Sequence, residues 1–155
     1  MNLLISSFLC LHLLSAALWV GGMAFAHFCL RPAVVPLEPP VRLGLMYEVL
    51  RRFFKVVLAS ALIALLLVTG FGMIGMAGGF ARVHWSVHAM VALGLVMMAM
   101  YGHIRFAGFP KLARFVAARD WPAAGKVLGT IRSLVVVNLA LGVLVFIVAV
   151  IGRVL

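Results

Sequence analysis

Four long stretches of this chain contain no Asp, Glu, Lys or Arg, and they constrain its fold more than any other feature. They run from Asn2 to Leu30, Val56 to Ala81, Val83 to Ile104 and Ser133 to Gly152. Each reaches the roughly 20 residues that a helix rising about 1.5 Å per residue needs to cross a hydrocarbon core of about 30 Å. A water-soluble globule is excluded, because 66% of the 155 residues are hydrophobic and only 10% are charged, too few to coat a surface. The expected fold class is all-α: an integral membrane up-down four-helix bundle, one transmembrane domain over 1–155, with helices at about 3–30, 46–77, 83–106 and 122–153. Met1 to Leu4 carries no Lys or Arg, and the apolar run after it is too long for the h-region of a signal peptide, so the first stretch is expected to stay as a helix.

The thirteen basic residues set the expected orientation. Arg31, Arg42, Arg51, Arg52 and Lys55 lie between the first two spans, and Arg105, Lys111, Arg114, Arg119, Lys126 and Arg132 between the last two. Arg82 and Arg153 alone lie on the other side. The excess of positive charge marks both long loops as cytoplasmic and both termini as external, in a multi-pass plasma-membrane protein. A net charge of +10 also raises nucleic-acid binding, but here the charges punctuate apolar runs where a nucleic-acid binder needs a polar face. The bilayer is the expected partner and nucleic acid is not.

In the first loop Pro32, Pro36, Pro39 and Pro40 argue against a continuous helix, so the second helix is expected to start near Leu45. Asp120 ahead of Trp121 and Pro122 reads as a helix start that carries the fourth helix beyond the membrane as far as Arg132. Cys10 and Cys29, about 28 Å apart at helical rise, cannot bridge within one chain and read as apolar packing residues.

Histidine is the informative residue type. His12 and His27 are fifteen residues apart on the first helix, and His88 and His103 are fifteen apart on the third, with His84 at the mouth of the latter. Ionisable groups within a membrane are costly and usually serve a function. In an up-down bundle these two helices face each other diagonally, which pairs His12 with His88 and His27 with His103 at two depths about 22 Å apart. Each pair could ligate haem b, one or two per chain, and leave the iron six-coordinate and suited to electron transfer. Fifteen residues leave the second histidine rotated by about 60° from the first, and Gly21 and Gly22 offer a place where a kink absorbs part of that error. Trp19 lies on the stripe between the first pair. Arg52, Arg82 and Arg105 are candidate partners for haem propionates.

Nine methionines raise copper as the alternative, because thioether and imidazole both suit Cu(I). Met90, Met97, Met98 and Met100 lie on the third helix and Met23, Met73 and Met76 on the first two. They do not form one line at helical spacing. The glycines from Gly70 to Gly79 permit close helix packing or a cofactor pocket near His12. Asn138 is expected to hydrogen-bond within the bundle. Glu38, Glu48 and Asp120, the only acids, lie in loops and offer no hydrolytic pair.

The stretch from His12 through Trp19 to Gly21 and Gly22 resembles the first helix of the CopD family of bacterial inner-membrane proteins. Arg52-Phe53 followed by an apolar helix ending in Thr69-Gly70 resembles that family's next helix. In size and in the placing of His12 and Trp19 the chain is also similar to HemJ-type haem-binding membrane proteins. The resemblance implies copper resistance or uptake on one side and haem chemistry on the other. The first expectation is therefore a b-type haem protein and haem-dependent membrane oxidoreductase that exchanges electrons with quinol or another redox partner, as monomer or homo-oligomer. The second is a copper permease with His and Met ligands.

Overall fold

The computed structural model describes residues 3–59 and 62–152, and these are helical nearly throughout, with no strand among them. Helix α1 (Leu3–Phe25) passes into a π segment (Ala26–Leu30) and then α2 (Arg31–Val34). Helix α3 (Pro39–Ala59) is followed by α4 (Leu62–Met76). Helix α5 (Trp85–His103) passes through a second π segment (Ile104–Gly108) into α6 (Phe109–Ala117), and α7 (Trp121–Ile151) closes the chain. Three rods, Leu3–Val34, Trp85–Ala117 and Trp121–Ile151, are long and apolar enough to cross a membrane, and α4 is a shorter apolar helix. Large apolar side chains such as Leu18, Phe28, Val68 and Val150 stay exposed on the perimeter, as a lipid-facing surface requires.

Two expected helix ends prove too early, for one reason. The first rod runs through Pro32 to Val34 and the third through Pro110 to Ala117. In each, a π turn stands just before the proline: Arg31 N–H bonds Ala26 O and Phe109 N–H bonds Ile104 O, five residues back. The extra residue in the turn moves the proline, which has no N–H and collides with the carbonyl four back in a regular helix, out of register with that carbonyl. The second helix starts at Pro39, earlier than Leu45, because the first turn needs no N–H donors of its own.

Helix ends obey local chemistry elsewhere. After α4, Gly78 and Gly79 have φ of 94° and 89°, and their N–H groups bond Gly75 O and Ile74 O, a left-handed stop. The same stop ends α6, but with Arg119 at φ 56° where glycine is usual. Asp120 then caps α7 as expected, its carboxylate accepting from Ala123 N–H at 3.1 Å. Cys10 and Cys29 are free and on the perimeter, not packed inside.

Helix α1 packs on α4 and α7, α5 and α6 pack on α7, and α3 packs on α4, α6 and α7. The ring of rods is closed at the α3 end by Phe54, whose ring meets Tyr101 at 5.6 Å and Phe109 at 5.1 Å. It is looser between α4 and α5. Midway, Gly142 lets α7 approach so closely that an added Cβ would come within 2.7 Å of Val20. There Trp19 and Tyr101 meet edge to face at 6.0 Å, so the first and third rods do face each other across the core.

Candidate functional site

Trp19, 3% exposed, is a wall shared by two cavities. The first, about 480 Å³, lies among α1, α4, α5 and α7. That volume is within the range of small-ligand sites. His12, Met73, His84, Met90, Met97 and Met98 all line it. The methionines that form no line along the sequence are thus brought together from two helices, because α4 and α5 turn different residues toward the same space.

His12 is the best-defined of these side chains. Its Nδ1 lies 3.0 Å from Thr69 Oγ1, and the Thr69 hydroxyl donates to Leu65 O at 2.5 Å. Because the hydroxyl proton is committed to Leu65, Thr69 must accept from His12 Nδ1–H. The other ring nitrogen, Nε2, then keeps its lone pair, the form in which imidazole binds a metal. Gly70 makes the approach possible, since a Cβ there would lie 3.1 Å from His12 Cε1. Thr69 is 1% exposed and fully within the packing, so the imidazole is held by a rigid partner.

The other expected site residues are scattered more widely. His88 is exposed, its Nδ1 3.3 Å from His84 O, and lines neither cavity. His84, at the N-terminus of α5, is the second imidazole on the first cavity, its Nδ1 3.1 Å from Ser86 Oγ. His27 is half-buried on the second cavity, whereas His103 is exposed and lines neither. The structure therefore brings His12 together with His84, and does not bring His12 to His88 or His27 to His103 around one cavity. The difference arises on α5, whose rotation leaves both His88 and His103 exposed while His12 and His27 of the first rod line cavities; a rod apolar on every side carries no pattern that fixes this rotation.

Gly22 lines the second cavity, and a Cβ there would come within 2.9 Å of Phe53. Arg52 is exposed and pairs with Glu48 at 2.9 Å. Arg82 folds back over Gly78. The Arg105 guanidinium lies 5.6 to 5.8 Å from the rings of Phe54, Phe106 and Phe109. Arg153 lies outside the described residues. Met23 accepts a hydrogen bond from Asn138 Nδ2 at 3.7 Å, the expected tie within the bundle. Sequence reasoning missed Thr69 as the partner of His12, although a hydroxyl within an apolar run was the available signal.

Among the described residues no three His, Cys, Asp or Glu side chains converge on a point that could hold a metal ion. The first cavity instead offers imidazole and thioether, a soft donor set that suits Cu(I) and disfavours Mg²⁺ or Ca²⁺. A family model described as Copper resistance protein D, CopD, matches residues 47–151, from within α3 to the end of α7. Comparison with curated proteins and with solved structures gives no match.

Proposed function

The chain belongs to the copper resistance protein D family, and from that premise we propose that it handles copper within the membrane, taking Cu(I) as cargo in the first cavity. The observation that carries this reading is the lining itself: four thioethers and a histidine with its Nε2 lone pair available, in an otherwise apolar space. His12 would supply the strongest donor and the Met73, Met90, Met97 and Met98 sulfurs weaker ones. Several weak sites in sequence let an ion enter and also leave, as a permease needs. The site lies beside the turn between α4 and α5, which the distribution of basic residues assigns to the external side. In this orientation both termini face outward and the two long loops face the cytoplasm.

The haem reading has less behind it. It rests on the pairs His12 with His88 and His27 with His103, and His88 and His103 are exposed and line neither cavity; His84, the second imidazole on the first cavity, is itself exposed. One experiment separates the two. Protein purified in detergent and loaded anaerobically with Cu(I) should retain stoichiometric copper, show no Soret band, and lose most of the copper in His12→Ala and in a Met90→Leu, Met97→Leu double variant. Stoichiometric haem in the purified protein, with no retained copper, would end the copper proposal.

A further inference from the structure

Of the four buried polar side-chain atoms without a hydrogen-bond partner among the described residues, three belong to side chains on one cavity. They are Trp19 Nε1, Tyr101 OH and Asn138 Oδ1. Their side chains are 3%, 5% and 2% exposed. Buried polar groups are nearly always paired, so three on one wall point to a ligand that pairs them. This second cavity, of about 300 Å³, is lined mainly by apolar and aromatic side chains, Phe53 and Phe54 among them, with His27, Arg31 and Arg132 as its basic members. Both π segments border it, through Ala26 and His27 in the first rod and Ile104 in the third. Such turns recur at functional sites because they displace side chains from regular helical register.

The chemistry of the three atoms is specific. The rings of Trp19 and Tyr101 stand edge to face at 6.0 Å, and their N–H and O–H are both without a partner among the described residues. Asn138 already uses its Nδ2 on Met23, which leaves Oδ1 as an acceptor. The three side chains on this lining thus carry two donors and one acceptor that have no partner among the described residues. Phe25, also on the lining, is 61% exposed on the perimeter, so the cavity reaches the lipid-facing surface.

We propose that the second cavity binds the head ring of a membrane hydroquinone. One ring oxygen accepts from Trp19 and Tyr101, and a ring hydroxyl donates to Asn138 Oδ1, while the apolar tail remains in the bilayer. The oxidised quinone has carbonyl oxygens and no O–H, so it satisfies the two donors but not Asn138. The reduced form therefore binds more tightly. The site is separate from the copper cavity, across Trp19, and its occupancy does not depend on the copper proposal.

The test uses the full chain in lipid nanodiscs, under anaerobic conditions, titrated with a short-tailed ubiquinol and separately with the matching ubiquinone. Fluorescence of Trp19 in a Trp85→Phe, Trp121→Phe background reports occupancy, and equilibrium dialysis gives the affinity. Saturable binding is expected, about tenfold tighter for ubiquinol, the effect of roughly one hydrogen bond. Asn138→Leu should bring the two forms to equal affinity, and Tyr101→Phe should weaken both by about five- to tenfold. Val135→Phe, which sets a ring into the cavity without removing a polar group, should abolish binding and guards against a polar variant that fails to fold. Absence of saturable binding in the wild type would overturn the proposal and leave these atoms to buried water. So would equal affinity for both forms, or binding indifferent to Tyr101→Phe and Val135→Phe.

Discussion

His12 shows how one side chain acquires a role from a partner 57 residues away. Thr69 accepts its Nδ1–H and leaves the Nε2 lone pair available, so under the proposed copper function removing the hydroxyl should act on affinity through orientation. Thr69→Val is expected to weaken Cu(I) binding by roughly 10- to 100-fold, the usual effect of losing a hydrogen bond that orients a ligand, and Thr69→Ser to restore most of it. Competition against a Cu(I) chelator in detergent measures this, and unchanged affinity in Thr69→Val would mean that the hydroxyl does not position the ligand. At the opposite end of the bundle, hydrogen bonds from Arg51 and Arg52 hold the Glu48 carboxyl well below its ordinary value, at about 2. The folded value is depressed, so its contribution is complete above pH 4.5 and disappears as pH falls through about 2. The difference in melting temperature between wild type and Glu48→Gln should accordingly narrow across that window; a constant difference would show that the ion pairs add no stability.

At the scale of elements, the junction between α6 and α7 sets two adjacent residues in opposition. Arg119 occupies a left-handed conformation that disfavours any side chain, while Asp120 caps the next helix. Arg119→Gly should stabilise the protein by about 0.5–1 kcal/mol, because the strain removed exceeds the entropy added to the unfolded chain. Asp120→Ala should destabilise it by about 1 kcal/mol. Thermal unfolding in detergent should therefore move in opposite directions for the two neighbours, and a fall for both would remove the strain argument. The paired π turns belong to this scale as well. Each lets a proline sit inside a long rod, and each shifts the angular phase of the short helix beyond it, α2 in the first rod and α6 in the third.

For the whole molecule, the ring of rods is closed by aromatic packing near α3 and looser between α4 and α5, with one cavity toward each end and Trp19 between them. The proposed orientation places the proposed copper cavity toward the outside and the basic loops toward the cytoplasm. A reporter fused after Leu155 should behave as external, and one inserted near Pro39 as cytoplasmic. The reverse pattern would exchange the sides of both cavities and require copper to enter from the cytoplasm.

The sequence by itself determined the class of fold. Charge-free runs of spanning length leave a chain no alternative to helices in lipid, since every backbone group must there be paired within its own segment. It also determined what rests on neighbours in the chain, such as the Asp120-Trp121-Pro122 start of α7. The continuation of the first and third rods through Pro32 and Pro110 was not legible, because a π turn cancels the local rule about proline. Only the tertiary structure decided which face of each rod turns inward, and with it the meeting of His12 with Thr69, the choice of His84 over His88 on the first cavity, and the gathering of Trp19, Tyr101 and Asn138 on the second. The physical reason is that lipid is as apolar as the interior of the bundle: a rod hydrophobic on every side carries no pattern that tells inside from outside, and close packing at small residues such as Gly70 and Gly142 sets its rotation instead.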